Sequence, residues 1–299
     1  MRLLRVASVL AAAGLAPLAP AASAHASGTL RVVAAENFWG SIAAQLGGDR
    51  VSVTSVITNP ATDPHDYEPT AVDARTIAGA QMVIVNGIGY DPWAPKLIAA
   101  NPVHGRVLLT VGDVVGIEPG GNPHRWYSPT NVQQVIAAIV ADYKRLDRKD
   151  SAYFDRQRAS FETKGLAAYK AEIAAIRKRY AGVPVGASES IFAPLAQALG
   201  LRLLTPYSFL TAISEGTEPT AEDVSTIDAQ IAGKRIEVWV FNSQNSTPDV
   251  QRLTSAARAK GIPVTTITET LTPATATFQA WQVAQLRALR AALATATGR

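Results

Sequence analysis

Four residues of this 299-residue chain have the type and setting to share one metal ion: His65, His124, Glu189 and Glu269. His65 lies in Asn59-Pro-Ala-Thr-Asp-Pro-His-Asp-Tyr-Glu-Pro-Thr70, and His124 in Gly121-Asn-Pro-His-Arg-Trp-Tyr-Ser-Pro129. Each histidine directly follows a proline, which fixes the backbone and lowers the entropy lost on ordering a site. Glu189 ends the apolar run Val183-Pro-Val-Gly-Ala-Ser-Glu189, and Glu269 follows the run at residues 264–268. Two imidazoles and two carboxylates suit a borderline divalent ion held by nitrogen and oxygen. Each residue alone has a plainer reading. An isolated loop histidine is more often a surface or turn residue, and a glutamate at a strand end is commonly a helix cap or solvated. His104, in a turn with no strand before it, reads as surface.

Elements must bring these residues together, and the pattern of apolar runs supplies them. Residues 30–36, 51–57, 82–86 and 107–111 read as short buried strands with helical stretches between them. The helix at 38–46 stops at Gly47-Gly48. Residues 183–189, 201–204, 236–241 and 264–268 repeat the arrangement, with a helix at 191–199 closed by Gly200. Glu68-Pro-Thr-Ala-Val-Asp-Ala-Arg-Thr-Ile77 matches Glu218-Pro-Thr-Ala-Glu-Asp-Val-Ser-Thr-Ile227 at seven of ten positions, so the halves echo each other. Within that echo, Thr70 with Asp73 and Thr220 with Asp223 read as helix N-caps.

Strands separated by helices predict parallel sheets. Residues 131–146 are amphipathic, and 151–180 continue as helix with only Gly165 as a breaker, about 30 residues or roughly 45 Å. The expected fold is α/β: two similar lobes with parallel sheets flanked by helices, joined by a long rigid backbone helix. The expected divisions are 1–26, 27–150, 151–180 and 181–299. Ligands of open parallel sheets bind at the carboxyl ends of strands. His65, His124, Glu189 and Glu269 all follow strands, two in each lobe. Trp126, Tyr127 and Tyr67 are candidates to wall the site from water.

Composition sets the wider limits. With 47% hydrophobic and 17% charged residues the chain can bury a sizeable core. The net charge of +4 is scattered, with no basic run interleaved with aromatics, so nucleic-acid binding is not expected. Met1-Arg2-Leu3-Leu4-Arg5, the apolar stretch at 6–20 and the Ala-x-Ala sites ending at Ala24 and Ala26 read as a signal peptide of about 26 residues, which takes His25 with it. The protein is therefore expected to be exported, periplasmic or secreted. It has no cysteine. That excludes disulfides and thiolate chemistry, and leads to the expectation of a protein without a lipid anchor.

The ordered motifs add a resemblance. Asp63-Pro-His-Asp-Tyr-Glu-Pro-Thr70, Asn86-Gly-Ile-Gly-Tyr-Asp-Pro-Trp93, Asn122-Pro-His-Arg-Trp126, Ser188-Glu-Ser-Ile-Phe192, Glu215-Gly-Thr-Glu-Pro219 and Asn242-Ser-Gln-Asn-Ser246 resemble those of the cluster A-I solute-binding proteins of bacterial ABC transporters. This family imports zinc, manganese or iron. The resemblance runs from about residue 30 to the end. It implies two lobes on a rigid helix with limited closure around the ion. It also implies a monomer that delivers the ion to a membrane permease powered by a separate ATPase.

The family's ligands carry over onto His65, His124, Glu189 and Glu269. Glu189 stands where many zinc importers have His and many manganese importers have Glu; Glu269 stands where Asp is usual. The His-rich loop of many zinc-specific members is absent, since residues 93–122 contain only His104. The expected cargo is one divalent transition metal ion, manganese ahead of zinc, with iron as a third candidate. Zinc still binds such a site more tightly in vitro by the Irving–Williams order. An enzyme is not expected. The competing readings are a secreted metallohydrolase and a metal-dependent adhesin.

Overall fold

The structure, a computed structural model, describes residues 29–62, 64 and 67–299. The proposed signal peptide and His65 lie outside the described residues. The first half reads β1 (Leu30–Glu36), α1 (Asn37–Gly47), β2 (Val51–Ile57), α2 (Ala71–Ala78), β3 (Met82–Val85), α3 (Trp93–Ala100), β4 (Val107–Thr110), α4 (Val111–Val115) and α5 (Pro129–Leu146). A helical connection follows, α6 (Ser151–Ser160) and α7 (Ala167–Tyr180). The second half reads β5 (Pro184–Ala187), α8 (Ala193–Leu199), β6 (Arg202–Leu203), α9 (Tyr207–Ser214), α10 (Ala221–Ala232), β7 (Val238–Asn242), α11 (Pro248–Ala259), β8 (Val264–Ile267) and α12 (Phe278–Thr297).

Each half builds one four-stranded parallel sheet, in the orders β2-β1-β3-β4 and β6-β5-β7-β8. The inner strands β1, β3, β5 and β7 are short runs buried on both faces, as parallel strands covered by helices are, while the outer strands are partly exposed. Met82, Val83, Ile84 and Val85 of β3 are all at most 2% exposed. The repeated decapeptide caps equivalent helices. Thr70 accepts from the Val72 and Asp73 amides while the Asp73 carboxylate accepts the Thr70 amide, a complete capping box. Thr220 accepts from the Asp223 amide at the start of α10. Helix α5 buries Val132, Val135, Ile136, Ile139, Val140 and Tyr143, the spacing of one helical face.

The connection departs from a continuous α-helix. Residues Phe161–Gly165 form a π-helical turn in which the Leu166 amide donates to the Phe161 carbonyl at 2.8 Å. A Cβ on Gly165 would come within 2.8 Å of the Phe161 ring, so the turn requires a residue without one. Helix α7 then packs along α12, with Glu172 bridging Arg287 at 3.1 Å and Arg290 at 2.9 Å. Helix α12 also reaches the first half, where its Phe278 amide donates to Ser41 Oγ and Gln279 pairs with Gln45. One apolar cluster runs through both halves, from Trp39 and Trp126 to Trp239 and Trp281, so the lobes share a core. No described helix is long and apolar enough to cross a membrane.

Candidate metal centre

The carboxyl ends of the two sheets meet, and three of the four expected ligands are there. His124, Glu189 and Glu269 are at most 1% exposed, and one ligand atom from each lies within 4.8 Å of the others. His124 Nε2 stands 3.6 Å from Glu189 Oε1 and 3.5 Å from Glu269 Oε2.

Each side chain is held by its own element. Past β5 the Ser188 amide continues the ladder to the Val240 carbonyl, which fixes Glu189 in an extended conformation before a 3-10 turn at Ser190–Phe192. Past β8, Thr268 is gripped from three sides. Its amide donates to Gln285, its hydroxyl accepts from Trp281 Nε1, and its carbonyl accepts from the Tyr127 hydroxyl at 2.8 Å. Glu269 is thereby fixed, and Thr270 after it donates its amide to Gln244. On the other side, the loop carrying His124 is braced by Asn86, whose Nδ2 donates to the Pro123 carbonyl at 3.0 Å.

The imidazole tautomer follows from its neighbours. Asn122 Nδ2 donates to the Ser190 carbonyl at 2.7 Å, so Asn122 Oδ1 is the atom that faces His124. That oxygen accepts the His124 amide at 3.0 Å and lies 3.0 Å from Nδ1. Nδ1 therefore carries the proton, and the lone pair of Nε2 points at the two glutamates. An outer partner that orients a ligating imidazole in this way also raises its basicity. The ring is packed edge-on between Tyr90 at 5.8 Å and Trp126 at 5.2 Å, with Phe38 stacked on Trp126 at 4.0 Å. Water is excluded by aromatic carbon.

Neutral donors reach both carboxylates. Ser214 Oγ donates to Glu189 Oε1 and the Tyr90 hydroxyl to Glu269 Oε2, both at 2.9 Å. Asn242 Nδ2 reaches Glu189 Oε2 at 2.6 Å and Glu269 Oε1 at 2.7 Å. Burial strips water from Glu189 and the charge of Glu269 opposes a second one beside it; together they push its carboxyl up to about 8, against the weaker pull of His124, Asn242 and Ser214. A divalent cation between the two carboxylates would offset their mutual repulsion. A groove of about 920 Å³ between α7 and α12 is at the opposite end of β5 and is lined mainly by alanines, lysine and arginines. It has no converging ligands, so chemistry rather than volume selects the site.

The aromatic expectations divide. Trp126 walls the site as expected, whereas Tyr127 braces the end of β8. Tyr67 turns away: its hydroxyl donates to Asp73 at 2.9 Å and its ring packs on Trp93. His104 is exposed, as expected. The site residues without an assigned role in the sequence are Tyr90, Asn122, Ser214 and Asn242. All but Ser214 lie in motifs already singled out.

Two parallel sheets meeting across a buried trio of nitrogen and oxygen ligands are the build of a two-lobed solute-binding protein. The profile of one family, ZnuA (zinc-uptake complex component A, periplasmic), matches residues 32–292, and the chain belongs to that family. It is 26% identical over 288 residues to the metal ABC transporter substrate-binding lipoprotein FimA of Streptococcus parasanguinis, covering 87% of this chain and 88% of that one. It is 25% identical over 265 residues to the manganese ABC transporter substrate-binding lipoprotein PsaA of Streptococcus pneumoniae, covering 81% and 80%. The manganese-bound periplasmic metal-binding protein of Candidatus Liberibacter asiaticus shares the fold, with a TM-score of 0.73 at 21% identity over 89% of this chain and all of that one.

The relatives correct one expectation. Both streptococcal proteins are named as lipoproteins, which overturns the expectation of a protein without a lipid anchor. That expectation was drawn from a missing thiol, and a missing side chain is no physical observation about membrane attachment. The extracytoplasmic location stands.

Proposed function

We propose that this protein captures one divalent transition metal ion, manganese or zinc, between its lobes and delivers it to an ABC importer formed by a membrane permease and a separate ATPase. The observation that carries the reading is the convergence of His124 Nε2, Glu189 and Glu269 in a buried pocket whose hydrogen bonds orient every ligand. His65 is the proposed fourth ligand, on the strength of its Asp-Pro-His motif. The zinc-uptake description of the family and the manganese name of the pneumococcal relative support the cargo class. The proposed division keeps 27–150 and 181–299 as lobes and 151–180 as the connection, with the protein acting as a monomer. It binds and releases rather than catalyses. Among the described residues no second group of histidine and acidic side chains converges, so the metallohydrolase reading has no further machinery to rest on.

Thermal unfolding of the chelator-stripped protein against Mn²⁺, Zn²⁺, Fe²⁺, Mg²⁺ and Ca²⁺ tests the reading. A ligand at 100 times its dissociation constant stabilises the folded state by about 2.7 kcal/mol. Manganese or zinc is expected to raise the midpoint by several degrees while magnesium and calcium leave it in place. No shift with any transition metal contradicts the proposal.

A further inference from the structure

We propose that the ion enters and leaves the site through a small polar pocket beside α9, with Thr211 setting how fast it passes and Glu215 drawing cations to the mouth. The inference rests on the metal-capture reading above and concerns the kinetics of that same site.

His124, Glu189 and Glu269 are at most 1% exposed, so any route to them passes a neighbouring side chain. A pocket of about 170 Å³ lies between the halves, lined by Asn122 from the first and by Ser190, Tyr207, Thr211, Ser214 and Glu215 from the second. Its inner wall is one hydroxyl thick. Ser214, 5% exposed, donates to Glu189 Oε1 at 2.9 Å, and that same oxygen faces His124 Nε2. Ser190 Oγ lies 2.8 Å from Ser214 Oγ and 3.3 Å from His124 Nδ1. The pocket therefore stops at side chains that touch two of the three converging ligands.

Its chemistry suits a cation that is shedding water. Tyr207, Thr211 and Ser214 occupy successive turns of α9, so three hydroxyl-bearing side chains share one wall. A hydroxyl oxygen carries lone pairs for a cation. Thr211 Oγ1 is buried without a hydrogen-bond partner among the described residues, which leaves its lone pairs to a passing ion. The Ser214 hydroxyl has Glu189 Oε1 and Ser190 Oγ both within 2.9 Å, so it turns from the carboxylate to the serine and still keeps a partner. Glu215, exposed at the end of α9, is the one charged residue among those that line the pocket. An acid at the mouth raises the local concentration of cations.

The test compares wild type with Thr211→Met, which fills the pocket and strands no partner, and Glu215→Gln, which removes the charge. Stopped-flow mixing of the chelator-stripped protein with Zn²⁺ gives the capture rate, transfer of Zn²⁺ into excess chelator gives the release rate, and titration gives Kd. A narrowed passage raises the barrier equally in both directions. Thr211→Met is expected to slow capture and release alike, each by about ten-fold, with Kd held within about two-fold. Glu215→Gln is expected to slow capture about three-fold at low salt, a difference that high salt removes. Because Glu215 is exposed, its variant decides the matter even where Thr211→Met fails to fold. Wild-type rates in both variants place the route elsewhere. A Thr211→Met protein whose Kd weakens through faster release alone makes Thr211 a support of the site rather than part of a passage. Either result overturns the inference while leaving metal capture intact. Failure of wild type to bind zinc removes the capture reading and this inference with it.

Discussion

Two residues beyond the Ala34–Ile84 pair of the first sheet stand Glu36 and Asn86, and two beyond the Ala187–Val240 pair of the second stand Glu189 and Asn242. The two lobes thus place an acid and an amide in the same register at the ends of the same two strands. In the second lobe, Asn242 faces Glu189 and Glu269, and the group opens towards His124. In the first, the acid is shut in. Both Glu36 oxygens are buried, and its charged neighbour is Asp91. Burial first, and then the charge of Asp91, hold the Glu36 carboxyl well above the usual carboxylate range.

Asp91 in turn accepts the Asn86 and Gly87 amides at 2.7 and 2.8 Å. That pins the loop through Gly87, Ile88 and Gly89, all with positive φ, that delivers Tyr90 to Glu269. Asn86 accepts from Trp39 and braces Pro123 beside His124. The comparison teaches that equivalent strand-end positions serve two purposes. One acid–amide pair forms part of the site, and the other holds the loops that complete it.

The sharpest way to break this comparison is to neutralise both acids in parallel. Glu189→Gln is expected to weaken zinc and manganese binding by about 100-fold or more, because a charged ligand is lost from a desolvated site. Glu36→Gln is expected to leave affinity within about three-fold, since Glu36 stands outside the converging trio. Chelator competition on both variants decides it; equal losses would erase the distinction between site and brace.

A smaller effect concerns pH. The native state keeps a proton on Glu189 up to about pH 8 that the unfolded chain releases near 4.5. Between those values the native state binds more protons, so the stability of the metal-free protein falls as pH rises through that window. Glu36, also raised, acts in the same direction. The total is on the order of a few kcal/mol, at about 1.4 kcal/mol for each pH unit. Denaturant unfolding in chelator from pH 4.5 to 8 measures it, and Glu189→Gln is expected to flatten the profile. Metal affinity runs the other way and strengthens with pH as the carboxylates and imidazoles lose their protons. A metal-free protein that grows more stable towards pH 8 contradicts this assignment.

The smallest effect belongs to the brace. Asn86→Ala strands the buried Trp39 N–H and the Pro123 carbonyl, and is expected to cost about 1–3 kcal/mol of stability. Both metals are expected to weaken together, with their ratio unchanged. A change in the ratio would mean that Asn86 does more than brace the loop that carries His124.

Much of this was legible in the residues. The runs at 30–36 and 51–57 became β1 and β2 with the same bounds, β1 as a mostly apolar inner strand and β2 as an alternating strand at the sheet edge, both rich in β-branched residues. His124, Glu189 and Glu269 came together as expected because strand ends on parallel sheets share one edge. Asn242 and Tyr90 sat in motifs whose chemistry was unread. An amide becomes part of a site only through the register that sets β7 between β5 and β8, and Tyr90 reaches Glu269 across 179 positions of sequence. Tyr67 shows the opposite failure. Nearness to His65 in sequence suggested a wall, but a carboxylate at the start of α2 was the stronger partner for its hydroxyl. The π-turn at Phe161–Gly165 gave no warning beyond Gly165 itself, since a shift from i+4 to i+5 bonding leaves no periodic mark on so short a segment.

The central claim is that one transition-metal ion is held by the buried trio at the meeting of the two sheets. Calorimetric titration of chelator-stripped wild type and His124→Ala with zinc, side by side, tests it most directly. The expected result is one site per chain in wild type and an affinity lower by orders of magnitude in the variant, with the variant still folded by circular dichroism. Equal affinity in the two proteins would place the ion elsewhere and contradict the account.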